Sequence, residues 1–176
     1  MTLRAAYIIT VLAVFGLATA TLSPSVSAAQ TAGLAPRADR VVIEKAAHRM
    51  TLFDGDRAIR SYDIALGHGG LARKTRQGDG RTPEGRYQID SRNPQSHYHL
   101  ALHISYPEAR DVKAAAALGA SPGGDIMIHG LPNGLGAIGS LHRSSDWTAG
   151  CIAVTDAEIE EIWRSVPDGT PVEIRP

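Results

Sequence analysis

Cysteine is almost absent from this chain of 176 residues, which contains a single copy, Cys151. One cysteine cannot form an intramolecular disulfide, so its thiol is an inert core group, half of an intermolecular bridge or a reactive group. Gly150 precedes it and the β-prone run Ile152-Ala153-Val154 follows it, which places the thiol where a loop meets a strand. We therefore interpret Cys151 as a reactive thiol.

An excess of charge of either sign is also missing. Lysine and arginine together number 18, as do aspartate and glutamate, and the basic residues are scattered. Such a balance gives no electrostatic basis for binding nucleic acid or an anionic surface. The sequence therefore predicts no nucleic-acid partner and a ligand that is recognised by a pocket, and we expect the protein to act as a monomer.

Only the amino terminus contains a long apolar run. Residues 5–20 are mostly apolar, Arg4 precedes them, and the small residues of Val26-Ser27-Ala28 follow. This arrangement is typical of a secretory signal peptide, which we predict over residues 1–29, with an uncleaved membrane anchor as the alternative. A linker is predicted over residues 30–39 and one domain over residues 40–176. The protein is therefore expected to be exported, to the periplasm or the cell wall.

Short β-prone segments dominate the predicted domain. Runs at 41–43 and 50–53 are followed by the turn formers Asp54-Gly55-Asp56, which predicts a meander of short strands. The glycine-containing stretch 67–80 predicts an exposed loop that buries little. One helix is expected within residues 107–118 and another after a capping box that starts at Thr155.

Two histidines near the cysteine in sequence are candidates for its base. A catalytic thiol needs an imidazole that takes its proton or stabilises the thiolate. His129 ends a predicted strand, whereas His142 lies in a glycine- and serine-rich loop that must first be ordered, at about 1–2 kcal/mol per residue. His129 is therefore the better base. Backbone N–H groups around Gly150 and Cys151 can stabilise an oxyanion, so the predicted chemistry is thiol acyl transfer.

Three further histidines, His97, His99 and His103, fall in the segment SHYHLALHISYP. Alternation predicts that they share one face of a strand. A His-x-His pair can bind zinc, but the local sequence supplies no spacing that fixes a third ligand. We predict no metal and interpret the three as polar lining of a cleft or as hydrogen-bonded packing.

The segments IMIHGL and TAGCIAV, together with GDGRTPEGRY and SHYHLALHISYP, resemble the L,D-transpeptidase catalytic domain of bacterial cell-wall enzymes over residues 40–176. The resemblance implies a mainly β fold, a sandwich or closed barrel of short strands with one or two peripheral helices. It also implies that Cys151 is the nucleophile, His129 the proton donor and acceptor, and Gly150 part of the oxyanion-side backbone, with no cofactor or metal.

The same resemblance implies a substrate. Cys151 is expected to attack peptidoglycan stem peptides at a third residue of the diaminopimelate type, releasing D-Ala and leaving a thioester for an amine of another stem or of a lipoprotein. Reaction with water, as in an L,D-carboxypeptidase or a cross-link-cleaving amidase, is the alternative. A further alternative is a non-catalytic periplasmic module that binds peptidoglycan or metal. The substrate-binding candidates are Gly130, His142, Arg143, Trp147 and Thr148.

Two positions depart from the family's pattern. Ala149 stands where a second histidine is common, and Ala153 stands where an arginine often follows the Gly-Cys pair. The resemblance therefore implies a less polar pocket with one anchor fewer for a carboxylate. We expect Trp147 to offer a flat face to the aliphatic part of the substrate, and Arg143 or one of the strand histidines to supply the missing positive charge. A reactive Cys151 is expected to have a low pKa and to label quickly near neutral pH, whereas a buried structural one labels only on unfolding.

Overall fold

The structure is a computed structural model that describes residues 37–176, so the predicted signal peptide and most of the predicted linker lie outside the described residues. No helix in the described part is long and apolar enough to cross a membrane. Eight strands and two α-helices form the domain. They are β1 (Arg40–Glu44), β2 (Arg49–Asp54), β3 (Arg57–Asp63), β4 (Gly85–Ser96), β5 (His99–Ile104), α1 (Ala109–Ala116), β6 (Met127–His129), β7 (Ile152–Ala153), α2 (Asp156–Ser165) and β8 (Pro171–Arg175).

The strands form one sheet in the order β3-β2-β1-β8-β4-β5-β6-β7. Most neighbours are antiparallel, whereas β8 runs parallel to β1 and β7 runs parallel to β6. Just after β3, Ala65 pairs with Ala153 of β7 through two backbone hydrogen bonds of 3.0 and 2.9 Å. The sheet therefore curls until its two ends meet at one bridge, and the predicted mainly β fold is confirmed.

The inner face of the sheet carries the β-branched and aliphatic residues that the strand pattern predicted. Ile43, Leu52, Ile89, Leu102 and Ile128 are each 0% exposed. Burying a side chain of this size contributes about 1.5–3 kcal/mol relative to leaving it in water. The core therefore fixes the strand ends at which the candidate site residues lie.

The helix α2 covers one side of this core. Thr155 accepts a hydrogen bond from the Glu158 backbone, and the Glu158 side chain accepts one from the Thr155 backbone, which is the predicted capping box. Ile159 and Ile162 lie one turn apart on its buried face. The predicted helix after Pro107 is confirmed as α1, which is shorter than the predicted range and is followed by Gly119 with a φ of 64°.

The domain begins earlier than predicted. Ala38, assigned to the linker, is 1% exposed and belongs to the core, and its backbone N–H donates to the Ser165 carbonyl over 2.8 Å. Asp39 likewise donates to the Phe53 carbonyl over 2.9 Å. The linker prediction was wrong at these two residues because small residues beside a strand carry no apolar pattern, although their backbone can still join the sheet.

The histidine segment is not one strand. β4 ends at Ser96 and β5 begins at His99, so His97 and Tyr98 form the turn between them. His99 contacts Glu160 over 2.9 Å and His103 contacts Asp90 over 2.6 Å. The prediction of one shared face was wrong because the tight turn interrupts the alternation.

The stretch 67–80 is better anchored than an exposed loop. Lys45, which follows β1, is 0% exposed and donates from Nζ to the Ala72 carbonyl (3.2 Å), the Thr82 carbonyl (3.1 Å) and the Glu84 carboxylate (2.8 Å). A buried ammonium is stable only when such partners surround it. Lys45 therefore ties the loop to the sheet.

We expect Lys45→Met to lower the free energy of unfolding by about 3 kcal/mol, because the change leaves Glu84 and two carbonyls without their donor in a largely buried place. Equilibrium unfolding in urea measures this. Lys113→Met, on the exposed face of α1, is the matched control and should change stability by less than about 0.5 kcal/mol. Equal stability of the two variants would show that Lys45 does not hold the loop.

Candidate active site

Cys151 and His129 line one cavity of about 400 Å3. β6 and β7 pair in parallel with His129 opposite Ala153, so His129 ends one strand and Cys151 directly precedes the next. Strand ends hold side chains firmly while leaving them accessible. The rest of the cavity is lined by His68, Tyr98, Asp125, Met127, Trp147, Thr148 and Ala149.

The imidazole of His129 is held in one tautomer. Its Nδ1 lies 2.7 Å from the Gly130 carbonyl, which can only accept, so Nδ1 carries the proton and the lone pair of the neutral ring is on Nε2. The ring stacks on Tyr98, with centroids 4.5 Å apart, and meets the edge of Trp147 at 5.7 Å. Burial lowers the pKa of His129 below its usual range. His129 is therefore a neutral, oriented proton acceptor.

The thiol of Cys151, which directly precedes β7, is half-buried. Its Sγ lies 3.4 Å from the Asp125 carbonyl, to which the thiol donates. Burial raises the pKa of Cys151, and the Met127 N–H and Lys74 only partly oppose this. The expectation of a depressed thiol pKa was wrong, because desolvation outweighs the local donors.

The resting site therefore holds a neutral thiol and a neutral imidazole that line the same cavity. This pair does not need a preformed thiolate, since the imidazole can take the proton as sulfur attacks. The Cys151 Sγ, the His129 Nε2 lone pair and the open cavity are the components of nucleophilic acyl transfer with general-base assistance.

The backbone of Gly150 is hydrogen-bonded and closely packed. Its N–H donates to Thr148 Oγ1 over 3.1 Å and is therefore not free for an oxyanion. A β-carbon at this position, where φ is 135°, would lie 2.7 Å from the Arg81 carbonyl, so glycine is required for close packing. No described residue accepts a hydrogen bond from the Cys151 N–H, so that group is free to donate.

Comparison with known proteins matches residues 38–174 to the family model of the L,D-transpeptidase catalytic domain (YkuD). The chain belongs to the L,D-transpeptidase catalytic-domain family. This confirms the resemblance in the sequence, and the matched range begins at Ala38, where the structure also places the start of the domain.

Individual relatives are similar to parts of this L,D-transpeptidase domain protein. A protein of Escherichia coli K12, "Putative L,D-transpeptidase YafK", is 35% identical over 108 residues, which cover 60% of this chain and 36% of that protein. The chain thus spans about a third of the length of this relative.

Solved structures share the fold. The helical cell shape determining protein Pgp2 of Campylobacter jejuni superposes with a TM-score of 0.61 at 27% identity, covering 80% of this chain and 48% of that one. An L,D-transpeptidase from Xylanimonas cellulosilytica has a TM-score of 0.55 at 17% identity, covering 80% and 61% of the respective chains. The second likeness concerns the fold alone.

The two departures from the L,D-transpeptidase pattern differ in their consequences. Ala153 is 0% exposed and pairs with Ala65 where the sheet ends meet, so it does not line the cavity and a longer side chain has no room there. Ala149 is exposed and lines the cavity. Only Ala149 therefore changes the surface that a substrate meets.

Of the predicted substrate-binding residues, Trp147 and Thr148 line the cavity. Trp147 is half-buried and presents a ring beside His129. Thr148 is 4% exposed, and its hydroxyl donates to the Cys151 carbonyl over 2.8 Å. Trp147 therefore suits substrate contact, while Thr148 chiefly shapes the turn that carries the cysteine.

Gly130 does not give room to a substrate. A β-carbon there would lie 2.7 Å from Asp156 Oδ1 and 3.0 Å from the Ile159 side chain, so this position faces the start of α2. Its contribution to the site is the carbonyl that orients His129. Its assignment as a substrate-binding residue stays a prediction, which can concern only its backbone atoms.

The segment that carries His142 and Arg143 is an ordered 3-10 helix, Gly136–Ser144, with a kink at Gly139, rather than a mobile loop. His142 is 8% exposed and accepts a hydrogen bond from Trp147 Nε1 over 3.4 Å. Arg143 Nη2 contacts both carboxylate oxygens of Glu158, at 2.6 and 2.5 Å. Neither residue lines the cavity, which corrects both substrate-binding assignments: His142 supports Trp147 and Arg143 fastens the segment to α2.

We expect Trp147→Ala to raise the KM for a stem tetrapeptide about tenfold, because it removes the flat apolar wall beside the thiol. Arg143→Ala should leave KM unchanged and lower the free energy of unfolding by about 2 kcal/mol, because it breaks a charge-assisted pair. Steady-state kinetics and urea unfolding of both variants separate the two roles. A raised KM in Arg143→Ala would restore the arginine as an anchor for the substrate.

Three residues in the cavity were missed or misjudged at the level of sequence. His68 was predicted to be solvated; it is exposed, but its ring lines the site. Tyr98 lies in the turn between β4 and β5, and Asp125 lies two residues before β6, and neither was singled out in the sequence. The glycines around His68 were the available signal, because they permit the close approach of its loop to Gly150.

Proposed function

We propose that this protein is a cysteine-dependent acyltransferase that acts on peptidoglycan stem peptides. The observation that carries the proposal is the shared cavity in which Cys151 and an Nε2-basic His129 lie together. Membership of the L,D-transpeptidase catalytic-domain family supports the substrate class.

In the first half of the reaction, Cys151 Sγ attacks the carbonyl carbon of the third stem residue and His129 Nε2 takes the thiol proton. The carbonyl oxygen becomes an oxyanion that the Cys151 N–H can stabilise. When the tetrahedral intermediate collapses, the C–N bond breaks, the D-Ala nitrogen receives the proton from His129, and a thioester remains on Cys151.

The donor peptide is proposed to lie along the aromatic wall of the cavity. Tyr98 and Trp147 have ring centroids 6.1 Å apart and flank His129 on two sides. Such rings offer apolar faces to the aliphatic part of a diaminopimelate-type residue. Ala149 adds no charge, so shape and apolar contact dominate recognition at this end.

In the second half, an amine of another stem peptide or of a lipoprotein takes the acyl group. A second cavity of about 380 Å3 meets Cys151, which gives the acceptor a route that the donor does not occupy. Hydrolysis, as in an L,D-carboxypeptidase or a cross-link-cleaving amidase, is the second candidate. The partial solvent exposure of Cys151 favours it, because water can reach the thioester.

We further propose that the protein works where stem peptides are found, in the periplasm or the cell wall, after residues 1–29 direct its export, and that residues 38–176 act as a monomer without a cofactor. The similar Campylobacter jejuni protein is named for a role in helical cell shape, which fits a cell-wall substrate. A purely structural cysteine fits the geometry less well, because the thiol opens on a cavity.

Incubation with purified tetrapeptide muropeptides, followed by mass analysis of products and intact protein, tests this proposal. We expect loss of D-Ala from the donor, a transient acyl adduct on Cys151, and either a cross-linked dimer or a tripeptide. The dimer indicates transfer and the tripeptide indicates hydrolysis. Intact donor after prolonged incubation with folded protein contradicts the proposal.

A further inference from the structure

Cys151 lies on the wall shared by two cavities, of which His129 lines only one. His68, Asp125, Ala149 and Cys151 line both, whereas His129 lines only the first. The remaining wall of the second cavity comes from two glycine-containing loops, around Gly80 and Gly123. A molecule that approaches the thioester through the second cavity therefore meets His68 and not His129.

The ring of His68 is oriented by a hydrogen bond. Its backbone N–H and its Nδ1–H both donate to the Thr148 carbonyl, at 2.9 and 2.8 Å. A carbonyl only accepts, so the neutral ring has its lone pair on Nε2. Among residues 37–176, Nε2 has no hydrogen-bond partner, which leaves it free to accept a proton.

The Nε2 atom of His68 lies close to Gly80. A β-carbon built at Gly80 would lie 2.6 Å from His68 Nε2, the nearest atom to it. Gly80 lines the second cavity and not the first. The basic nitrogen of His68 therefore lies beside the wall of the second cavity.

The other ionisable groups around this cavity are less suited to accept the proton. Lys74 is 6% exposed, and its Nζ contacts Asp79 at 2.9 Å. Burial alone raises the pKa of Asp79, but the N–H groups of Thr75, Arg81 and Arg76, together with Lys74, hold it far below its usual range. Lys74 is thus paired with Asp79. Asp125 offers a carboxylate, which is ordinarily a much weaker base than an imidazole.

We propose that His68 is a second catalytic base that activates the nucleophile resolving the thioester. This assignment rests on the proposed acyl transfer at Cys151. An acceptor ammonium entering the second cavity gives one proton to His68 Nε2, and the resulting amine adds to the thioester carbonyl. As the C–N bond forms, the C–Sγ bond breaks, and the proton lost by the attacking nitrogen restores the thiol. For water, His68 takes one proton as the C–O bond forms and passes it to sulfur.

A single-turnover experiment tests the assignment. A diaminopimelate-containing tetrapeptide serves as donor, and its side-chain amine also serves as acceptor. Quenched-flow measures the release of D-Ala, and intact mass follows the thioester. In His68→Gln, we expect thioester decay to slow about a hundredfold and D-Ala release to slow far less, so that the adduct accumulates.

Two controls distinguish catalysis from a structural role. His97→Gln changes an exposed histidine in the β4–β5 turn, outside both cavities, and should leave both rates unchanged. In His68→Ala, added imidazole should accelerate thioester decay more than it does in His68→Gln, whose side chain still occupies the place of the ring; an equal acceleration in both variants is direct attack by free imidazole and contradicts rescue.

The outcomes that contradict the assignment of His68 can be told apart. Thioester decay at the wild-type rate in His68→Gln overturns the assignment, and so does an equal slowing of acylation and decay, which indicates a structural residue. If the wild type releases no D-Ala and forms no adduct, the proposed function fails and the assignment of His68 fails with it.

Discussion

Cys151→Ala is expected to abolish D-Ala release from a stem tetrapeptide while the protein stays folded. The thiol is the only one in the chain, and without it no covalent intermediate can form. Loss of an enzyme nucleophile lowers kcat by roughly 10⁴–10⁶-fold. Removing one half-buried sulfur atom leaves a small cavity, so the free energy of unfolding should change by less than about 1 kcal/mol. Product analysis by mass spectrometry and urea unfolding measure the two effects.

Covalent labelling of the wild type and of Cys151→Ala provides an independent check on this result. A carbapenem, as a strained acyl donor, should increase the intact mass of the wild type by one drug molecule and should leave Cys151→Ala unchanged. Wild-type D-Ala release by the folded alanine variant would end the hypothesis that Cys151 is the nucleophile.

The sequence contains the local information for much of this fold. β-Branched and apolar runs predicted β1 and β2, because a strand that covers a core must present apolar side chains to it. The Thr155 capping box predicted the start of α2, since its hydrogen bonds lie within four residues. His129 was also placed correctly at the end of β6, because the strand that it ends is likewise a local pattern.

Contacts between distant segments could not be predicted in this way. Lys45 lies 39 positions from Glu84, and His68 lies 80 positions from Thr148, so no periodicity connects them. Nearness in sequence can also mislead. Arg143 lies near the cysteine in sequence, but its side chain is bound to Glu158 of α2. The curling of the sheet brings the loops together, and only the folded chain shows which side chains enter the cavity.

His129→Gln is expected to lower kcat/KM for D-Ala release by roughly 10²–10⁴-fold, the range for a lost general base. Glutamine keeps a donor for the Gly130 carbonyl and much of the buried volume, but it has no nitrogen that can take the thiol proton. His142→Gln is the matched control, because that ring contacts Trp147 and does not line the cavity. A greater loss in His142→Gln than in His129→Gln would reverse the assignment of the base.

The pH profile gives an independent test of His129. The neutral ring is the active form, and burial places its pKa below the ordinary value of about 6.5. As pH falls, the ring of the free enzyme therefore protonates only below that value, and the acid limb of kcat/KM for D-Ala release should have its midpoint below pH 6.5. Because burial raises the thiol pKa above its usual value of 9.0, a general-base reaction should show a plateau from that limb to at least pH 8. A rate that instead rises tenfold per pH unit across this interval would indicate that a minor thiolate attacks without help from His129, and His129→Gln would then leave the rate of acylation nearly unchanged.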